Sequence, residues 1–141
     1  MLKHIPEVLS PELLKILMEM GHGDELVLAD GNFPAASMAK RLVRADGHGV
    51  TPLLDAILQF FPLDAYVDCP VALMASGDPG VRPAVWQEYS KCILRNEGDR
   101  QAELMERHAF YARAKDAYAI VATGETALYG NIILKKGVVD A

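Results

Sequence analysis

Along this chain the apolar residues follow two alternating rhythms. Where they recur every three or four positions they predict helices with one buried stripe. Leu13, Leu14, Leu17 and Met18 form such a stripe behind Ser10-Pro11-Glu12, which supplies an N-capping hydroxyl, a proline suited to the first helical position and an acid at the positive end of the helix dipole. Gly21 is the expected stop. Leu53, Leu54, Ile57 and Leu58 mark a second helix that opens at Thr51-Pro52 and ends before Pro62, and further helices are expected over residues 84–95 and 108–117. Between the helices lie short unbroken apolar runs suited to strands buried on both faces: 26–29, 42–44, 71–75, 118–123 and 131–134, with a weaker one around Leu104. This alternation predicts an α/β fold, a single domain over residues 1–141 with a mostly parallel sheet and helices on its faces. "SGDPGVRP", residues 76–83, reads as a surface loop.

Composition narrows the partners. The chain has 141 residues, enough for one sizeable core, and a formal net charge of -5 with no Lys/Arg block. A nucleic-acid footprint is therefore not expected. Two cysteines, Cys69 and Cys92, with no CxxC spacing suggest reduced thiols in a cytoplasmic protein. "MLKHIPEVLSPELL" lacks the apolar core of a signal peptide, and no apolar run approaches the ~18 residues of a membrane span. Counted with glycine in place of tyrosine, the apolar share is about 55%, above the usual 45–50%. Another subunit is the expected cover for the surplus.

Four histidines occur, and His22 stands between two glycines directly ahead of an expected strand, in "EMGHGDELVLADGNFP". The flanking glycines leave its ring reachable from several sides. It reads equally as an exposed turn residue after a helix stop. Asp30 follows "LVLA" at the C-terminal end of an expected parallel strand, where open α/β sheets place their ligands. Its alternative is an Asx-turn into "DGN". Asp46 and His48, in "RADGHG", read as turn residues. Arg107, ahead of "AFYARA", can fork onto hydroxyls or a carboxylate or sit in a solvated ion pair. Tyr129-Gly130-Asn131 offers a ring, an open backbone and an amide, a trio that suits a sugar and also suits an ordinary turn. No dinucleotide, nucleotide, esterase or zinc-protease motif is present, and "GHGD" supplies too few ligands for a metal.

In order and spacing, "EMGHGDELVLADGNFPA", "RADG", "AFYARA" and "TGETALYGNIILKKGV" resemble the L-fucose mutarotase family, related to D-ribose pyranase. The resemblance implies a cofactor-free isomerase that interconverts the anomers of a free sugar, with an α/β fold and a homo-oligomer, often a decamer. It implies that His22 is the catalytic acid, Asp30 and Arg107 bind substrate, and Tyr129, Gly130 and Asn131 form the sugar-binding turn. Ribose-specific relatives carry histidine where this chain has Arg107, which favours L-fucose. The rival expectations are a ribose-specific enzyme, a non-catalytic sugar-binding subunit and a metal-dependent isomerase. Eight residue steps separate His22 from Asp30, up to ~26 Å of extended chain, far more than a sugar ring spans. A pocket shared between subunits is expected, against a single-chain site in which the Gly-His-Gly turn folds back.

Overall fold

Every residue of Val71–Met74 and of Ala119–Thr123 is buried, as strands covered on both faces require. The computed structural model describes residues 1–140. Strands β1 (Glu25–Ala29), β2 (Leu42–Ala45), β3 (Val71–Met74), β4 (Ala102–Met105), β5 (Ala119–Thr123) and β6 (Ile132–Lys135) make one sheet in the order β2-β5-β1-β6-β3-β4. Helices α1 (Pro11–Glu19), α3 (Val50–Leu58) and α4 (Val85–Glu97) cover one face, and α2 (Ala35–Met38) and α5 (Arg107–Asp116) cover the other. Alternation along β1 divides its side chains accordingly: Leu26 and Leu28 enter the first core, Val27 and Ala29 the second.

The α/β layering and the single sheet match the expectation. Ser10 caps α1 by accepting a hydrogen bond from the Leu13 amide at 3.1 Å. Gly21 does not play the part expected of it: α1 ends at Glu19 because Met20 is extended, and the left-handed residue is Gly23, at φ +88°. Helix α3 starts one residue earlier than Thr51, with Gly49 as its cap, and α5 starts at Arg107 rather than His108. The short α2 carries too little periodic sequence to be read in advance.

One departure matters for function. Strand β6 pairs antiparallel with both β1 and β3, while the β1–β5, β2–β5 and β3–β4 ladders are parallel. An apolar run such as Ile132-Ile133-Leu134 carries no mark of direction. Reversal of β6 brings the residues before it to the same edge as the C-terminal ends of β1, β3 and β4. Among the described residues no helix is long and apolar enough to cross a membrane.

Candidate functional site

At that edge a cleft of ≈ 180 Å³ is lined by Asp30 after β1, Met74 at the end of β3, Arg107 after β4, and Tyr129 and Asn131 before β6, with Asn32, Phe33, Tyr111 and Leu128 completing the wall. Residues separated by about a hundred positions meet here because the strands end together. Arg107 is exposed at the first turn of α5. Glu106 caps that helix, accepting from the amides of His108 and Ala109 at 2.8 and 3.1 Å. His108, one place along, turns to the Tyr111 ring instead of the cleft.

Asp30 is only 6% exposed and is held from several directions. Its amide donates to Asn131 Oδ1 at 2.7 Å, and Asn131 Nδ2 donates back to Asp30 Oδ2 at 3.1 Å. The Asn32 amide donates to Asp30 Oδ1 at 3.0 Å, so Asp30 makes the Asx-turn that its sequence allows. Burial raises the Asp30 pKa above the ordinary carboxylate value, and the surrounding donors at Asn32, Gly130, Phe33 and Asn131 only partly oppose this. Asn131 is itself buried, and its amide is already committed to Asp30. It holds the carboxylate in place, a contact not foreseen from the Tyr-Gly-Asn motif.

The turn before β6 is anchored from behind by α4. Trp86 Nε1 donates to the Tyr129 carbonyl at 2.9 Å, and Tyr89 Oη donates to the Gly130 carbonyl at 2.7 Å. Tyr129 itself adopts φ +57°, a left-handed conformation that a tyrosine holds only under constraint. A Cβ on Gly130 would lie 3.0 Å from the Ala127 carbonyl oxygen, so the backbone here passes too close for a larger residue. Glu125 joins the turn to the fold, accepting from the amides of Val50 at 3.0 Å and Ala127 at 3.1 Å.

His22 lies elsewhere. It precedes β1, at the opposite end of the strand from Asp30, and does not line the cleft. The Gly-His-Gly turn does not fold back along the sheet: Gly23 N–H donates to Lys136 O at 2.8 Å, and Lys136 N–H to Asp24 O at 2.8 Å, continuing the β1–β6 ladder outward. The ring is half-exposed, tilted against Tyr66 with centroids 5.4 Å apart, and its Nε2 sits 3.2 Å from Asp64 Oδ1. Asp64 is buried, and the Tyr66 amide and, less strongly, His22 hold its pKa below the ordinary carboxylate value.

Of the remaining candidates, Asp46 forms an exposed ion pair with Arg44 at 2.6 Å, and His48 is a turn residue whose carbonyl accepts from the Gly124 amide. Among the described residues no group of three His, Cys, Asp or Glu side chains could hold a metal ion. Sequence reasoning missed Trp86, Tyr89 and Asp64. Nothing in their local patterns distinguishes them from core aromatics and a loop acid, and only the tertiary fold brings them to the turn and to His22.

The profile of the RbsD / FucU transport protein family matches residues 3–139. The human fucose mutarotase is 51% identical, over 97% of this chain and 94% of its own length. The L-fucose mutarotase of Actinobacillus pleuropneumoniae is 53% identical, over 98% of this chain and 97% of its own. Among solved structures, the fucose mutarotase of Streptococcus pneumoniae in complex with L-fucose superposes with a TM-score of 0.95 at 54% identity, covering 99% of this chain and 100% of that one. Bacillus subtilis RbsD complexed with D-ribose gives a TM-score of 0.76 at 25% identity, covering 99% and 100%.

Proposed function

We propose, for a chain that belongs to the RbsD / FucU transport protein family, the reaction that its fucose-acting relatives carry in their names: interconversion of the α and β anomers of free L-fucose. The enzyme is an isomerase acting on a carbohydrate. The observation that carries the site assignment is the convergence of Asp30, Arg107, Tyr129 and Asn131 on one cleft from distant parts of the chain. Asp30 accepts from sugar hydroxyls, Arg107 donates to them, Tyr129 lays its ring against the apolar side of the sugar, and the backbone at Gly130 sets the distance of approach.

Spontaneous ring opening over minutes corresponds to a barrier of roughly 22 kcal/mol. Positioned acid–base catalysis contributes about 10²–10⁴-fold, and orientation of the bound sugar adds to it. His22 is the proton donor: imidazole both gives and takes protons near neutral pH. The ring oxygen gains a proton, the bond from the anomeric carbon to it breaks, the anomeric hydroxyl becomes the aldehyde oxygen, and the chain recloses on the other face.

A single chain holds His22 and the cleft at opposite ends of β1, so a neighbouring copy supplies the histidine. Support comes from the exposed apolar side chains beside both halves, Tyr66 next to His22 (75% exposed) and Leu128 next to Tyr129 (65% exposed). The assembly is a homo-oligomer, a decamer in the reading carried over from the family. Saturation transfer between the anomeric proton signals of L-fucose tests the reaction directly. The wild type is expected to give rapid exchange, and His22→Ala to give only the uncatalysed rate with the fold intact. An active, folded His22→Ala protein would remove His22 from the mechanism. D-ribose, tested alongside, is expected to exchange more slowly, since relatives at about half identity are named for fucose whereas the RbsD complexed with D-ribose is 25% identical.

A further inference from the structure

The imidazole of His22 does not hang free in solvent: one of its two nitrogens is occupied. Nε2 lies 3.2 Å from Asp64 Oδ1, and the Asp64 carboxylate is 3% exposed while the His22 side chain is 46% exposed. That pairing is built, not incidental. The Asp64 amide donates to Lys135 O at 3.0 Å, its carbonyl accepts from Arg100 Nη2, and its Oδ1 also accepts from the Tyr66 amide at 3.0 Å. The backbone of Asp64 is thus held at two points and its carboxylate at one before it meets the histidine. Tyr66 then closes one face of the ring, at a centroid distance of 5.4 Å. The other charged groups on the elements around the turn are Asp24, whose carboxylate takes the Gly21 amide at 2.7 Å, and Lys135 and Lys136 at the end of β6.

We infer that Asp64 is the positioning residue of the isomerase: it takes the Nε2–H of His22, fixes the tautomer, and leaves Nδ1 as the atom that works on the sugar. This rests on His22 being the proton-transfer group. A histidine nitrogen that faces a buried carboxylate carries the proton, and the other nitrogen presents its lone pair. In that state Nδ1 takes the proton of the anomeric hydroxyl. The imidazolium so formed faces an ionised carboxylate. Nδ1 then returns the proton to the ring oxygen as the bond between that oxygen and the anomeric carbon breaks; its electron pair stays on the ring oxygen, and an anomeric-oxygen pair completes the aldehyde. Closure on the opposite face reverses each transfer, so the enzyme ends with the proton count it began with. Both oxygens are bonded to one carbon, and a single nitrogen serves them in turn.

Asp64→Asn tests the charge while keeping the Oδ1 acceptor that the Tyr66 amide needs. Exchange at saturating L-fucose is expected to fall roughly tenfold or more, a share of the 10²–10⁴ that positioned acid–base catalysis supplies, with half-saturating sugar unchanged. The second measurement is independent of turnover. In sugar-free, isotope-labelled protein above the histidine titration range, long-range proton–nitrogen NMR is expected to show His22 protonated on Nε2 and bare on Nδ1. The signal is assigned by its absence in His22→Ala, and its Nε2 proton is expected to exchange faster with solvent in Asp64→Asn. A His22 protonated on Nδ1, or a folded Asp64→Asn enzyme with wild-type exchange, overturns the inference. Neither result depends on whether His22→Ala is active, which tests the underlying mechanism separately.

Discussion

In its proposed role, Asp30 serves binding at the expense of stability. Burial raises its pKa, so the folded state holds a proton on this carboxylate more firmly than the unfolded chain does. For an acid with a raised folded pKa the stabilising direction is acidification: the contribution is unfavourable above the folded pKa and is relieved as pH falls through it toward the unfolded value. Binding runs the other way, since only the ionised form accepts from every hydroxyl donor around it. Sugar affinity is therefore expected to weaken on acidification at a pH above that of an ordinary aspartate, while this residue's own contribution to the midpoint of thermal unfolding rises over the same window. Asp30→Asn keeps the shape and removes the buried charge. Isothermal titration across pH is expected to show weaker, nearly pH-independent fucose binding for this variant, together with an equal or higher melting temperature at neutral pH. A lower melting temperature with the fold otherwise intact would mean that the ionised form is the one the fold prefers.

The anchoring of the Tyr129 turn belongs to the level of elements, because it is a relation between α4 and the start of β6. Tyr89 Oη meets the Gly130 carbonyl in the core, where an unpartnered carbonyl costs about 1–3 kcal/mol. Tyr89→Phe is expected to lower stability by about that amount and to weaken fucose binding without changing the pH dependence of exchange; chemical denaturation and exchange kinetics check the two halves. Gly124→Ala is expected to be worse, since its Cβ would press into the Asp46 carbonyl, which is backbone and cannot swing away. Far-ultraviolet circular dichroism after expression would show whether this variant folds at all. These elements also mark how far sequence reading reaches. Strands 26–29 and 71–75 were legible because unbroken apolar runs need cover on both faces, and α1 because Ser10-Pro11 announces its start. The direction of β6 was not, because direction is written in ladder pairing. Asp30, Arg107 and the Tyr129 turn were legible as candidates through motif order, whereas the commitment of the Asn131 amide to Asp30 and the backing by Trp86 and Tyr89 arise from contacts some forty to a hundred positions apart in sequence.

At the scale of the whole molecule, β1 alone separates its ends by roughly 13 Å, and the turn beyond it carries His22 further from the cleft. The ladder to β6 holds the Gly-His-Gly turn at the far end of β1 from Asp30 of the same chain. In the proposed homo-oligomer, closed symmetry solves this without any movement, since each copy lends a histidine to one neighbour and receives one from another, or exchanges them across a two-fold axis. The exposed apolar residues beside each half are then interface, and every pocket is completed at a contact. The consequence can be tested with two inactive proteins. His22→Ala keeps an intact cleft, and Asp30→Ala keeps an intact histidine. When equal amounts are mixed and allowed to exchange subunits, about a quarter of the pockets in a randomly mixed closed ring should pair a sound histidine with a sound aspartate. Fucose exchange should recover to about that share of the wild-type rate, rising with the time course of subunit exchange followed by native mass spectrometry. Mixed oligomers that remain inactive would mean that His22 and Asp30 act within one chain, and that the turn at Gly21 and Gly23 must open in solution to let them meet.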